Sequence, residues 1–129
     1  MEIERLESKN YILRALSISD ARDLFEIMKD KEVMKYVRPR PVAKIEEMEE
    51  QILHHLDGLQ REKEIPWTII DKKSGKVIGF LRLHKLSLWH KKAELGVVLH
   101  KNFQNKGVMT ELMPILLVHC FHGLGLNRL

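Results

Sequence analysis

The sequence has 129 residues, of which 44% are apolar and 31% charged, and its formal net charge is +4. This length predicts a single domain, residues 1–129, with a modest core. Basic and acidic residues are interleaved, which argues against a nucleic-acid-binding face. The longest apolar stretch is too short to span a bilayer and the N-terminus lacks signal-peptide order, so we expect no membrane association. The one cysteine cannot form an internal disulfide, which indicates a reducing, cytoplasmic location.

The first half of the chain predicts one strand followed by helices. Residues 11–16 alternate weakly and predict a strand. Ser17 or Ser19 is expected to cap the next helix. A short helical piece over residues 32–36 should end at the prolines that follow it, and residues 42–61 predict a longer amphipathic helix. The apolar face of the first helix is predicted to contain Ala21, Leu24, Phe25, Ile27 and Met28.

The middle of the chain predicts three antiparallel strands. Residues 66–71 and 76–86 are rich in β-branched and aromatic residues and flank a polar turn that contains a glycine, which is typical of a β-hairpin. A second turn at residues 89–92 leads into a short, mostly apolar strand at residues 93–99.

The last part of the chain predicts a long amphipathic helix. It begins after Gly107 and should end at Gly123 or Gly125. Pro114 lies beyond the first turn, where it removes a backbone hydrogen bond and is expected to kink the helix. The residues predicted at core spacing are Met109, Leu112, Leu116, Cys120, Phe121 and Leu124.

The strand, loop and helix of residues 93–126 form a pattern that can hold a phosphate. The first N–H groups of a helix have no partner within it and lie at the positive end of its dipole. The loop, Gln104-Asn105-Lys106-Gly107-Val108-Met109-Thr110, resembles the Q/R-x-x-G-x-G/A motif of the GNAT superfamily of acetyl-CoA-dependent N-acetyltransferases. The sequences Ala93-Glu94-Leu95-Gly96 and Gly125-Leu126-Asn127-Arg128 are similar to the RimJ/RimL branch, which acetylates ribosomal proteins.

This resemblance implies an α/β fold with a mixed, mostly antiparallel sheet and helices on both faces. It implies acetyl-CoA as donor, a primary amine as acceptor and direct transfer in a ternary complex. Acceptors in this branch include ribosomal and other protein N-termini, polyamines and antibiotic-like small amines. In the family, further strands follow the Asn-Arg step, so we expect a GNAT domain truncated at its fifth strand.

The resemblance also implies a coenzyme site. The N–H groups of Asn105, Lys106, Gly107, Val108, Met109 and Thr110 are expected to bind the pyrophosphate, with Gln104 holding the loop. The backbone of Val97, Val98 and Leu99 is expected to bind the pantetheine arm. Met109 departs from the family pattern, which has Gly or Ala there.

Glu94 is the candidate catalytic residue, because a carboxylate whose pKa is raised by burial can accept the proton of an ammonium group. By the period of a strand it should share a face with Gly96 and Val98. The alternative is a structural carboxylate paired with Lys91, Lys92 or Arg82. No general acid is assigned.

Other residues have weaker functional interpretations. Arg38, Arg40, Trp67 and Trp89 could contact the acceptor, although solvent exposure or core packing is the simpler interpretation. His119 and His122 lie three residues apart, but no carboxylate stands at ligand spacing, so no metal is predicted. Cys120 is expected to be a packed core residue.

Two further expectations concern activity and assembly. A non-catalytic coenzyme-A-binding or interaction module is the alternative to an enzyme, since Met109 replaces a small residue and the domain is expected to be short. An uncovered edge at the strand of residues 93–99 and an apolar face at Leu116, Phe121 and Leu124 predict a two-fold homodimer, in which the C-terminal segment or this strand packs on the second copy.

Overall fold

A computed structural model describes residues 2–35 and 42–127. Its sheet has five strands in sequential order, and every pairing between neighbours is antiparallel. The predicted mixed character of the sheet is therefore not found among the described residues. The strands are β1 (Leu6–Glu7), β2 (Tyr11–Ala15), β3 (Ile65–Asp71), β4 (Val77–Ser87) and β5 (Lys92–Leu99).

Four α-helices accompany the sheet. They are α1 (Ala21–Met28), α2 (Lys31–Met34), α3 (Ile45–Gln60) and α4 (Val108–Val118). Short 3-10 turns, Ile18–Asp20 and Lys101–Phe103, precede α1 and follow β5, and a π-helical turn, His119–Gly123, follows α4. None of the helices in the described ranges is long and apolar enough to cross a bilayer.

The helices cover both faces of the sheet, as predicted. Helix α4 packs through Leu112 and Leu116 on one face, where it meets Trp67, Leu81 and Leu83. Helices α1, α2 and α3 pack on the opposite face, in a second apolar cluster that includes two strand residues, Phe80 and Val98. Successive side chains along β4 and β5 lie on opposite faces of the sheet. The polar residues that alternate with core residues of the first cluster therefore point toward α1–α3.

Most predicted elements are confirmed, with boundaries shifted by a few residues. The first strand ends at Ala15. Ser17 is the cap, in a reciprocal capping box with Asp20, and it caps a 3-10 turn that leads directly into α1. The predicted helical piece at residues 32–36 forms as α2, one residue earlier. The two-residue strand β1 was not predicted, since so short a segment carries no period.

The C-terminal helix differs from its prediction in its last turn. A period of 3.6 residues places Phe121 in the core, but Phe121 is exposed and Cys120 is fully buried. The reason is the π-helical turn at His119–Gly123, which widens the helix and breaks the spacing on which the prediction rested. The helix does end at Gly123, and Pro114 lies inside α4.

Close approach of two strands requires glycine at position 79. A Cβ on Gly79 would lie 2.3 Å from the carbonyl oxygen of Val98 on β5. A β-bulge between Ile69 and Ile70 adjoins this point on the other neighbour, β3. The sheet is therefore locally irregular where β5 ends and the loop to α4 begins.

Candidate functional site

The predicted phosphate loop is exposed and opens a helix through a left-handed glycine. Gly107 is the N-cap of α4 and has φ +78°, a conformation in which any side chain would be strained. A Cβ built there meets no atom within 4 Å, so the space above the glycine is open. Asn105 is also left-handed, with φ 59°. Two left-handed residues on either side of Lys106 turn the chain sharply into the helix.

The start of α4 presents backbone donors to this open space. The first intrahelical bond runs from the N–H of Glu111 to the carbonyl of Gly107, at 3.0 Å. The N–H groups of Val108, Met109 and Thr110 therefore have no partner within the helix. Backbone donors at the positive end of an 11-residue helix favour an anion such as a pyrophosphate.

Two contacts hold this loop and helix in place. The Gln104 side-chain amide donates to the carbonyl of Leu99, at 3.1 Å, and so ties the loop to the end of β5. The carboxylate of Glu111 accepts hydrogen bonds from the Ser8 hydroxyl and from the backbone and side chain of Asn10. These hydrogen bonds, that of Ser8 foremost, lower the pKa of Glu111. The prediction that Gln104 organises the loop matches this geometry.

Strand β5 supplies the second predicted part of the coenzyme site. It pairs with β4 on its inner side, and no strand among residues 2–35 and 42–127 pairs with its outer side. Val98 is buried toward α1–α3, whereas Val97 and Leu99 are partly buried toward α4. The carbonyl of Leu99 accepts the hydrogen bond from Gln104, so this end of β5 lies beside the loop. The structure thus brings the two predicted parts of the coenzyme site together.

Glu94 lies at the predicted position but not in the predicted environment. It shares the face of Gly96 and Val98, as expected, yet its side chain is 56% exposed. Its carboxylate forms an ion pair with Lys85 at 3.1 Å, rather than with Lys91, Lys92 or Arg82. The Nδ1 atom of His84, directly across the strand pair, lies 3.9 Å from the same oxygen. The burial on which a raised pKa depended is absent.

A cleft of about 970 Å³ lies on the α1–α3 face, beside Glu94. Its floor is formed by β4 and β5, and its wall by α3 and the end of α1 and α2. The lining combines apolar groups with six ionisable side chains that reach it from the sheet and from α3. The floor and wall residues include Phe80, Arg82, His84, Gly96, Val97, Val98, Glu47, Glu50, His54, His55 and Met34.

A polar network that sequence reasoning missed stands at one end of this cleft. The buried carboxylate of Glu64 bonds to Nδ1 of His55 at 2.7 Å and lies 3.4 Å from Nη1 of Arg82. The His55 ring also packs on Phe80, with centroids 5.0 Å apart. A signal existed in the alternation of Phe80, Arg82 and His84 with leucines on β4. That alternation places the polar residues opposite α4, but it does not show what they meet.

His84 is the ionisable group that reaches both the cleft and the outer edge of the sheet. It lines the large cleft and also a smaller one with Glu94, Leu95, Met113 and Leu117. Burial lowers the pKa of His84 below its ordinary value, and the charge of Arg82 lowers it further, while Glu94 opposes this. The imidazole is therefore neutral at neutral pH.

The residues that could contact the acceptor lie in different surroundings. Trp67 is fully buried in the core, and its indole N–H donates to the carbonyl of Glu4 at 2.9 Å. Trp89 is 88% exposed in the turn between β4 and β5. Arg38 and Arg40 lie outside the described residues.

The residues considered for metal binding or nucleophilic chemistry are engaged otherwise. His119 lies 3.2 Å from a carboxylate oxygen of Glu4, and the described part of the chain contains no group of three potential metal ligands. Burial raises the pKa of the Cys120 thiol to about 11. Such a thiol is inert at neutral pH, which agrees with its predicted role as a core residue.

Three comparisons with known proteins agree on one family. Residues 10–129 match the sequence model of a family described as acetyltransferase (GNAT) domain. Among curated relatives, the uncharacterized N-acetyltransferase YoaA of Bacillus subtilis is 27% identical over 124 residues, which cover 96% of this chain and 70% of YoaA. A spermidine N(1)-acetyltransferase of Vibrio cholerae is 25% identical over 118 residues, 91% of this chain and 65% of that protein.

A solved structure shows the same fold. A RimL ribosomal L7/L12 alpha-N-protein acetyltransferase in complex with coenzyme A superimposes with a TM-score of 0.80 at 23% identity, covering 90% of this chain and 67% of that one. At this identity the similarity concerns the fold, which confirms the predicted arrangement of an antiparallel sheet between helices.

Proposed function

The chain belongs to the acetyltransferase (GNAT) domain family and is an acetyl-CoA-dependent acetyltransferase, and from that premise we propose that it transfers the acetyl group directly to a primary amine. The acceptor classes we propose are a protein N-terminus, such as that of a ribosomal protein, and a small polyamine. The proposal draws on the names of the RimL neighbour and of the spermidine acetyltransferase relative.

The observation that carries the proposal is the left-handed glycine that opens α4 behind the outer edge of β5. We place the pyrophosphate of coenzyme A on the N–H groups of residues 105–110, because these donors face open space. We place the pantetheine arm along Val97, Val98 and Leu99, where outer backbone groups are available. When bound there, acetyl-CoA supplies an acetyl thioester.

The acceptor amine is proposed to enter the cleft on the α1–α3 face. This cleft reaches the backbone of Gly96–Val98, so an amine within it approaches the pantetheine strand from the side opposite α4. Glu47 and Glu50 line the cleft from α3 and favour a cationic acceptor. Glu94 is proposed to assist proton transfer from its position on β5, where it stands across from His84.

Two further parts of the proposal concern the cell and assembly. We propose that the protein works in the cytoplasm, since its single thiol is buried and unpaired, as is usual in a reducing compartment. We also propose a homodimer, because the exposed Val118 and Phe121 of the C-terminal helix offer a second copy an apolar face to pack on.

Isothermal titration calorimetry with coenzyme A tests the site through two variants at one position. Gly107→Val should weaken binding by about tenfold or more, because a β-branched residue is strained at φ +78° and its side chain would occupy the open space in which the pyrophosphate is proposed to lie. Gly107→Asn is the matched control, since asparagine tolerates the left-handed region, and we expect a loss of only a few-fold. Equal affinity of Gly107→Val and the unsubstituted protein would remove the site from this loop.

The activity is tested by acetyl transfer from acetyl-CoA to spermidine and to a short peptide with a free N-terminus. Mass spectrometry should find one added acetyl group on at least one of them. Coenzyme binding without any transfer to either amine would contradict the proposed acceptor classes.

A further inference from the structure

The proton acceptor of an amine in the cleft can be identified from the surroundings of its ionisable groups. Glu94 is exposed and bonded to Lys85, and Glu64 is occupied by His55 and Arg82. His55 donates or accepts at Nδ1 toward Glu64. Two cleft imidazoles make no hydrogen bond within the described residues, His54 on α3 and His84 on β4, and of these it is His84 that lies against β5. Its side chain is 24% exposed, so an amine can reach it.

Gly96 leaves the ring of His84 uncovered toward β5. A Cβ built on Gly96 would lie 3.5 and 3.6 Å from Cδ2 and Nε2 of His84. Any larger side chain at position 96 would therefore stand against Nε2. With glycine there, Nε2 of His84 lies close to Gly96 on β5, next to the segment Val97–Leu99 along which the pantetheine arm is proposed to bind.

A backbone irregularity sets the position of His84. The pairing of β4 with β5 is regular up to His84 and Glu94, and then shifts before Ser87 and Lys92. Lys85, which follows His84, has φ 49°, in the left-handed region that lysine rarely adopts. Bulges of this kind re-aim a side chain and occur next to active sites.

On this geometry, and resting on the proposed acetyl transfer, we propose that His84 is the catalytic base that takes a proton from the acceptor ammonium group, with Glu94 as a positioning residue across the strand pair. The charged groups that face His84 are Arg82 and Lys85 on its own strand, Glu94 on β5 and Glu64 before β3. The histidines of α3, His54 and His55, line the same cleft.

The proposed step moves one proton to His84 and the acetyl group to the amine nitrogen. The ammonium group gives one proton to Nε2 of His84 and becomes a free amine. Its nitrogen forms a bond to the acetyl carbon, and the bond from that carbon to sulfur breaks. The second proton lost by the nitrogen ends on the sulfur, which leaves as the thiol of coenzyme A. His84 then returns its proton to water.

Kinetics over pH 5–9 test this assignment with three variants. His84→Gln should lower kcat at pH 7 by about 100-fold or more and abolish the fall in rate on the acid side, because glutamine cannot accept the proton. The matched control is His122→Gln, at an exposed histidine on the π-helical turn, which should keep the normal kcat and the normal fall in rate on the acid side. Glu94→Gln should keep the acid limb, displaced to lower pH, because loss of its negative charge lowers the pKa of His84 further.

A second readout does not depend on turnover. Imidazole NMR of the full chain with coenzyme A should show His84 neutral at pH 7 and should show its ring signals, but not those of His122, shifting when spermidine is added. Calorimetry should give His84→Gln an affinity for coenzyme A within twofold of the unsubstituted protein. If His84→Gln unfolds, His84→Asn and the titration of the unsubstituted protein take its place.

The outcomes separate the two proposals. Transfer by His84→Gln at more than a third of the normal rate, with its acid limb intact, would overturn the role of His84 and leave the proposed function standing. The same holds if Glu94→Gln alone removes the limb, which would return the base role to Glu94. Absence of transfer by the unsubstituted protein to either amine would overturn both.

Discussion

At the scale of single residues, Asp20 is a buried carboxylate that links three elements. It accepts hydrogen bonds from the Arg14 guanidinium at 2.8 Å and the Thr68 hydroxyl at 2.8 Å, and its side chain is only 4% exposed. It also accepts from the N–H of Ser17 in the capping box. Burial raises the pKa of Asp20, but the hydrogen bonds from Arg14, Thr68 and Ser17 outweigh burial and lower it.

Asp20→Asn should lower the free energy of unfolding by about 2 kcal/mol at pH 7, since hydrogen bonds to a buried charge are lost. Because the folded pKa is lowered, the carboxylate stabilises the fold fully above its ordinary pKa of about 3.9 and loses this contribution as the pH falls through the lower, folded value. The difference between the two proteins should therefore shrink below about pH 4.

Urea unfolding at pH 7 and pH 3 measures both effects. Asp23→Asn, on an exposed turn of the same helix, is the control and should change stability by less than about 0.5 kcal/mol. A deficit in Asp20→Asn that is equally large at pH 3 would mean that the side chain stabilises the fold by packing and not by charge.

At the scale of elements, α4 connects the loop of residues 104–107 to the core. Its buried residues, Val108, Leu112 and Leu116, pack on the sheet, while Glu111 bonds back to the turn between β1 and β2. Pro114 lies on the exposed side of this helix and supplies no N–H to the carbonyl of Thr110. The helix therefore lacks one backbone hydrogen bond, about one turn after the residues that are proposed to bind the pyrophosphate.

Pro114→Ala should stabilise the protein by up to about 3 kcal/mol, because it restores an intrahelical hydrogen bond and removes an exposed ring. Thermal unfolding followed by circular dichroism measures the change. Val118→Ala, at another exposed position of α4, is the matched control and should gain less than about 1 kcal/mol. An unchanged or lowered unfolding temperature in Pro114→Ala would show that the helix already accommodates the ring without loss.

At the scale of the whole molecule, two layers of helices enclose a sheet whose ends differ. The β1 end is short, with two residues in the outer strand. The β5 end presents eight residues of strand, with Leu95, Val97 and Leu99 only partly buried. An outer strand of this length is a template for pairing, which the proposed pantetheine arm would take up, whereas the exposed Val118 and Phe121 of the C-terminal helix remain for a second copy.

Light scattering at micromolar concentration should therefore give twice the monomer mass, in a two-fold dimer that packs this part of the C-terminal helix against the second copy. Dilution to nanomolar concentration provides the control, since a specific dimer dissociates reversibly under mass action. A monomer that unfolds cooperatively throughout this range would contradict the proposed dimer.

Local signals in the sequence determined most of the secondary-structure elements. The alternation in residues 66–71 and 76–86, the cap at Ser17 and the glycine at position 107 each predict a feature that the structure contains. These features depend on neighbours within a few residues, through periodicity, turn chemistry and backbone conformation. For the same reason the opening of a helix at Gly107, within one continuous segment, could be predicted, whereas the role of this loop as a phosphate site stays a prediction.

Only the tertiary structure decided the surroundings of the polar residues. Glu64 meets His55 and Arg82 from positions that are 9 and 18 residues away, and the exposure of Glu94 depends on Lys85 across a bulge. Sequence alternation places such residues on a face but does not indicate burial or partner, because both depend on where a distant helix packs. The π-helical turn that exposes Phe121 likewise breaks the local period on which its predicted burial relied.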